Sequence, residues 1–231
     1  LPERDLPSLL NVIEPAINMI PSKGISHSHW QLAGSANPEG LVIPTQVNYV
    51  GKGADLYGLG YELHGSIQVV LNYLRTTWLW DKVRIQGGAY SASNSFGRQS
   101  GVLTMASYRD PNILETLDVF DGAGQFLRSS DIHQDEIRKS IIGAIGAIDA
   151  YRLPDAKGYV SFIRHLIEES DETRQMLREQ VLGASLADFR RFADVLDQVK
   201  ALGQVSVVGS QEAFQKAHEE RSGYFTLLDI L

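Results

Sequence analysis

The order of predicted elements along this chain indicates an α+β fold, in which helices pack on one face of a mostly antiparallel sheet. Residues 41–50 are rich in β-branched and aromatic side chains and predict a strand, with a break near Pro44. Residues 89–96 and 101–108 are strand-like runs joined by four residues, which is typical of a β-hairpin. Segments between and after these strands carry apolar residues at three- and four-residue steps, and this spacing predicts helices.

The first helices are predicted from their apolar faces and from proline positions. One helix is expected from residue 59, with an apolar face that runs to Leu74. Asp110 followed by Pro111 predicts an N-cap with proline at the first helical position of the next helix. Pro154 should end or kink a central helix, because it cannot donate a backbone hydrogen bond. The apolar stripes around it are Ile137, Ile141, Ile142, Ile145 and Ile148 before the proline, and Tyr159, Phe162, Ile163 and Leu166 after it.

The last helices are predicted from capping residues. Ser170 is expected to be an N-cap, and Gly183 marks the C-terminal end of the same helix. Ser185 with Asp188 three residues later resembles a capping box. The chain is then expected to finish with a strand over 205–208, a helix over 211–221 and a strand over 224–228.

Residues 1–40 are the least regular stretch and contain five prolines. We interpret them as the end of a preceding domain or as a linker, and residues 41–231 as one domain. The first residue is Leu1 rather than methionine, which we interpret as the start of a fragment of a longer protein. A processed mature chain is the alternative.

Composition excludes several classes of function. The chain has 231 residues, 43% of them apolar, so it can bury a sizeable core. A net charge of −7 argues against a nucleic-acid partner, which would need clustered lysine and arginine. The absence of cysteine excludes disulfides and thiolate ligands. No apolar run reaches the roughly 18 to 20 residues of a membrane span, so no membrane partner is expected.

Residues 44–53, 73–90, 107–112 and 151–159 carry a family resemblance. The most specific motif is R-x-Q-G-G-A-Y, which occupies residues 84–90. These segments resemble the last domain of the presequence protease and falcilysin branch of the pitrilysin-type zinc peptidases. The similarity extends over residues 41–231, which is far more than one short motif.

The resemblance implies four related α+β domains in two halves that close around a chamber. Zinc is then the cofactor, held by an inverted H-x-x-E-H motif in the N-terminal half, where it polarises the scissile carbonyl and activates water. This chain lacks the motif, so no catalytic or metal-binding residue is expected in it. The nearest match places His165 four residues before Glu169, and a solvated helix face is the ordinary interpretation. His27 and His29 form another weak pair, interpreted as a surface pair.

The resemblance also implies substrate-binding residues, namely Arg84, Tyr90, Gly87 and Gly88. A guanidinium has a fixed fork of donors and cannot lose its charge, which suits peptide carbonyls or a developing oxyanion. A tyrosine hydroxyl adds a neutral donor. Gly87 and Gly88 would let the backbone turn sharply and a substrate strand pass close. A purely structural Arg84 and a half-buried Tyr90 are the alternative.

The function expected on this resemblance is the non-zinc half of a zinc metalloendopeptidase that degrades unstructured oligopeptides, such as cleaved targeting peptides. The fragment alone should be inactive. Its partners would be peptide substrates and the N-terminal half of the same polypeptide, and the isolated fragment is expected to self-associate through the surface that this half covers. The alternative is a non-catalytic structural or interaction subunit of the same fold. The compartment would be the cytoplasm in a bacterium, or a mitochondrial or plastid matrix.

Overall fold

The computed structural model describes residues 3–20 and 37–230. The chain divides into two compact units, Leu1–Gly34 and Ser35–Leu231. In the first unit a short 3-10 turn, Glu3–Asp5, leads into helix α1 (Leu6–Asn18), which has no buried side chain. That this unit is the end of a preceding domain stays a prediction.

A six-stranded sheet forms the frame of the second unit, in the order β3-β4-β2-β5-β1-β6. Its strands are β1 (Glu39–Val42), β2 (Tyr49–Asp55), β3 (Ser91–Phe96), β4 (Val102–Tyr108), β5 (Gln204–Gly209) and β6 (Thr226–Asp229). Strands β3, β4, β2 and β5 pair antiparallel, whereas β1 is parallel to both β5 and β6. The α+β class is confirmed, and the sheet is mixed.

The strand predicted over 41–50 is in fact two strands, β1 and β2. They are separated by a loop that contains Pro44, whose missing N–H cannot join a sheet ladder. The two strands are not neighbours, because β5 lies between them. By contrast, the predicted hairpin is confirmed as β3 and β4. Its turn is closed by the Gly97 amide, which donates to the carbonyl of Val102 at 2.9 Å.

Seven α-helices and a π-helix complete the described part of the second unit. The helix expected from residue 59 begins only at Ser66, after a turn. The bounds are α2 (Ser66–Leu74), the π-helix Arg75–Gln86, α3 (Leu114–Ser129), α4 (Gln134–Ile148), α5 (Pro154–Leu166), α6 (Asp171–Leu182), α7 (Leu186–Leu202) and α8 (Gln211–Glu220).

The prediction that Asp110 caps α3 is wrong. The helix begins at Leu114, and Ile113 occupies the N-cap position. Asp110 is instead fully buried, and its carboxylate accepts hydrogen bonds from the Asn112 amide at 2.9 Å and from the Thr116 hydroxyl at 2.7 Å. It therefore shapes the loop before the helix. Ser170, Gly183 and the capping box of Ser185 are found where they were predicted.

Helices cover one face of the sheet, here called the inner face. Alternate strand residues point into it and are buried, whereas their neighbours on the opposite, outer face are more accessible. The inner residues include Val50, Ala54, Leu103, Met105, Val205 and Val207. They pack with the apolar faces of the helices as one core.

Helix α5 has the predicted apolar stripe but buries none of it. Tyr159, Phe162 and Leu166 are all exposed, and no residue of α5 is buried. Ile142 on α4 is exposed as well, although it was predicted within a continuous stripe. The helical periodicity of α5 was therefore predicted correctly, but its apolar stripe does not face the core of this unit.

Candidate functional site

A tight turn connects the π-helix to β3 and carries the predicted site. The Gly88 amide donates to the carbonyl of Arg84 at 3.1 Å, and the Ala89 amide donates to that of Val83 at 3.1 Å. Gly88 has φ +80°, a conformation that side chains other than glycine rarely adopt. A Cβ atom on Gly87 would lie 2.7 Å from the Val83 carbonyl oxygen. Both glycines are thus required by the turn itself.

The turn brings Arg84 and Tyr90 together. The Nε atom of Arg84 donates to the backbone carbonyl oxygen of Tyr90 at 3.1 Å. The guanidinium also lies 4.1 Å from the ring centroid of Trp80, close enough for a cation–π contact. These contacts fix the position of Arg84, while no residue of the described chain accepts a hydrogen bond from its terminal nitrogens. The Tyr90 side chain is 67% exposed.

Three tyrosines continue the site across the outer face of the sheet. The ring of Tyr90 lies 6.0 Å from that of Tyr108, and Tyr108 lies 5.3 Å from Tyr49, both edge to face. We call Tyr90, Tyr108 and Tyr49 the tyrosine row. The Arg109 guanidinium lies 5.6 Å from the Tyr108 ring. The site therefore combines cationic donors with an exposed aromatic surface.

The loop after β4 holds the turn in place. The amides and carbonyls of Asn48 and Asp110 exchange two hydrogen bonds, at 2.7 and 2.8 Å. The side-chain amide of Asn112 donates to the carbonyl of Gly87 at 2.7 Å. The turn is thus anchored to the end of β4 and the start of β2, so the exposed side chains stand on a fixed backbone.

The residues considered for zinc do not fit a metal site within the described ranges. The carboxylate of Glu169 accepts from Arg98 at 2.7 Å and from Arg164 at 3.3 Å, so it is already paired with two arginines. No group of three or more potential ligands occurs in residues 3–20 and 37–230. His27 and His29 lie outside the described residues. The absence of zinc from this chain stays a prediction.

Sequence reasoning did not identify Tyr49, Tyr108 or Trp80 as site residues. Each tyrosine alternates with a buried neighbour, but which strands lie side by side was not predictable from that alternation alone. For Trp78 and Trp80 the sequence left two interpretations open, a peptide-binding surface or, as is more common for aromatic residues that close a helix, the core. Trp78 does pack inward, stacking 4.7 Å from the Phe126 ring, whereas Trp80 is exposed beside Arg84.

The sequence of this chain is similar to that of known proteins over most of its length. Residues 38–211 match the family model described as the PreP C-terminal domain. The chain is 51% identical over 193 residues to "Presequence protease 1, chloroplastic/mitochondrial" of Arabidopsis thaliana. It is 30% identical over 178 residues to "Protein HypA" of Clostridium perfringens. These alignments cover 84% and 77% of this chain but only 18% of each relative, so the chain spans less than a fifth of their length.

Solved structures share the fold at low sequence identity. The crystal structure of pitrilysin aligns with 98% of this chain and 25% of its own, with a TM-score of 0.61 and 14% identity. An inactive M16 peptidase domain from Pseudomonas fluorescens aligns with 91% of this chain and 52% of its own, with a TM-score of 0.62 and 14% identity. No helix in the described part of the chain has the length and apolar character needed to cross a membrane.

Proposed function

Because this chain belongs to the family of PreP C-terminal domains, we propose that it is the substrate-holding, non-zinc part of a zinc metalloendopeptidase. Its substrates would be unstructured oligopeptides, such as cleaved targeting peptides. Relatives named presequence proteases support this assignment, as does the small share of their length that the chain spans. The zinc ligands would then belong to the N-terminal half of the same polypeptide.

The observation that carries the proposal is the anchored Arg84 beside an exposed Tyr90. The hydrogen bond from Nε to the Tyr90 carbonyl uses one of five guanidinium donors and leaves the terminal nitrogens available for a peptide carbonyl. The Tyr90 hydroxyl would supply a second donor to the same centre. Gly87 and Gly88 would let an extended peptide approach the turn without side-chain clashes. The tyrosine row would give the bound peptide an aromatic surface with little demand on its sequence.

The test is kinetic and uses the full-length protein. Arg84→Ala and Tyr90→Phe should each lower kcat/KM for an unstructured peptide by about tenfold to a thousandfold, the scale for losing one oxyanion donor. Zinc content should not change, because neither residue is a proposed ligand.

Two matched controls separate a site effect from a surface effect. Arg75→Ala removes an exposed arginine from the same π-helix, and Tyr159→Phe removes the hydroxyl of a tyrosine that is also 67% exposed. Both controls should keep wild-type kinetics. Unchanged kinetics in Arg84→Ala and Tyr90→Phe would remove both residues from the proposed function.

The compartment forms part of the proposal. The Arabidopsis relative is named chloroplastic/mitochondrial and the mouse relative, 31% identical over 145 residues, is named mitochondrial. These names support a mitochondrial or plastid matrix over a bacterial cytoplasm. Fractionation of cells that express the full-length protein would test this, and recovery in the cytosol alone would contradict it.

A further inference from the structure

A pocket of about 680 Å³ is formed where α4, α5 and α6 meet the turn between β3 and β4. None of its lining residues belongs to the turn at residues 84–90. Five arginines line it: Arg98, Arg152, Arg164, Arg174 and Arg178. Three carboxylates, Asp149, Glu169 and Asp171, share it. The chain as a whole has 28 acidic and 21 basic residues, so this excess of two positive charges reverses the overall balance locally.

All three carboxylates are already bound by arginine. Asp149 receives two hydrogen bonds from Arg178, at 2.6 and 2.8 Å. Asp171 accepts from Arg174 at 2.5 Å. Within each of these two ion pairs the charges cancel, so neither pair contributes to the surplus positive charge.

The surplus positive charge lies at two places. Glu169 is shared by Arg98 and Arg164, so one carboxylate faces two guanidinium groups. The Glu169 side chain is only 9% exposed, which keeps that cluster fixed. Arg152, in the loop between α4 and α5, forms no ion pair or hydrogen bond with any residue of the described chain. Most N–H donors of Arg98 and all those of Arg152 are thus available to a ligand.

We propose that this pocket binds a small phosphate-bearing polyanion. Guanidinium groups bind carboxylate and phosphate through paired N–H donors, and these charge-assisted bonds are stronger than neutral ones. The arginines come from a turn, a loop and two helices that line the same pocket, so several separate elements supply donors to it. A tetrahedral phosphate has acceptor oxygens in several directions and matches this arrangement better than a planar carboxylate. The volume lies within the range of small-molecule sites.

Titration calorimetry on the 231-residue chain tests the proposal, with pyrophosphate as the probe in metal-free buffer near 0.15 M ionic strength, about physiological. We expect saturable binding of one pyrophosphate per chain. Arg152→Gln should weaken it by about tenfold, the scale of one lost hydrogen bond to a charged group. Thermal stability without ligand should stay unchanged in this variant, because Arg152 has no partner to lose among the described residues.

Arg138→Gln is the matched control, because Arg138 lies on helix α4 and its partner among the described residues is Asp135, which does not line the pocket. It should bind pyrophosphate as wild type does. Citrate, which carries a similar charge on carboxylates, should bind at least tenfold more weakly, since it lacks the tetrahedral group. Absence of saturable pyrophosphate binding would overturn the proposal. Equal affinity in Arg152→Gln, an equal loss in Arg138→Gln or equal affinity for citrate would each do the same.

Discussion

Two cationic side chains, Lys52 on the inner face of the sheet and Arg84 at the turn before β3, differ in how many of their donors the protein itself uses. On the inner face Lys52 is 4% exposed, and its ammonium donates to Asp121 at 2.5 Å and to the Lys200 carbonyl at 3.0 Å. At the turn before β3, Arg84 is held within the described chain by the hydrogen bond from its Nε to the Tyr90 carbonyl and by its contact with the Trp80 ring. In the first arrangement, the buried ammonium stabilises the fold through its contacts within the protein. The second holds the side chain in place and leaves its remaining donors for a ligand, and this difference distinguishes a structural cation from a candidate site.

The largest expected effect comes from breaking the inner pair. Asp121→Ala leaves the Lys52 ammonium buried without its carboxylate, which should cost about 3 kcal/mol or more of the free energy of unfolding. Asp118→Ala on the same helix removes an exposed ion pair with Arg221 and should cost less than about 1 kcal/mol. Urea unfolding of both variants measures this, and equal losses would show that Lys52 is not a buried structural charge.

A substitution at Gly88, in the turn before β3, should have the next largest effect on stability. Gly88→Ala forces a Cβ atom into the left-handed region and should destabilise the chain by about 1 to 2 kcal/mol. Gly146→Ala in α4 adds a methyl group that no described atom beyond the adjacent helix backbone approaches within 4 Å, and it should stabilise the chain by about 0.5 to 1 kcal/mol. If both substitutions shift the melting temperature in the same direction, the turn is not the constraint described above.

The exposed stripe on α5 should affect association rather than folding. Phe162→Glu removes an exposed ring and should change the free energy of unfolding by less than about 0.5 kcal/mol. The same change should reduce self-association of the isolated chain, because contiguous exposed apolar surface promotes contacts between molecules. Sedimentation at increasing concentration compares the two chains. A wild-type chain that remains strictly monomeric would remove α5 as an association surface.

The remaining effect appears only at alkaline pH. Burial raises the pKa of the Tyr61 hydroxyl from its usual value near 10 to about 12. Between these values the unfolded chain has released this proton and the folded chain keeps it. The stabilisation is therefore complete below pH 10 and is lost as the pH rises toward 12. Tyr61→Phe should lose less stability than wild type over this interval in denaturant titrations. An identical alkaline decline would show that Tyr61 makes no contribution to it.

Local features of the fold were predictable because neighbouring residues determine them. The β3–β4 hairpin and the caps at Ser170 and Ser185 follow from turn and capping chemistry within a few positions. The separation of β1 from β2 was not predictable, because it depends on β5, which lies about 150 residues later in the sequence. The π-helix was not predictable either, because residues 75–86 have no pronounced apolar face and bury only Leu79 and Val83.

The candidate site shows the same division. Arg84, Gly87, Gly88 and Tyr90 lie in one short motif, so the resemblance identified them together. Tyr49 and Tyr108 join Tyr90 only through the register of three strands, which the sequence does not specify. The arginine pocket likewise brings together five arginines, from Arg98 to Arg178, that lie on separate elements. Nothing in their spacing along the sequence indicates that they meet.

The central claim is that Arg84 and Tyr90 act on one peptide group, and a double-mutant cycle in the full-length protein tests it most directly. The kcat/KM of Arg84→Ala, Tyr90→Phe and the double variant would be measured on one unstructured peptide. Residues that act on the same group are strongly non-additive, so the double variant should lose about as much as the worse single variant. Losses that multiply in the double variant would place the two side chains in independent roles and contradict the shared site.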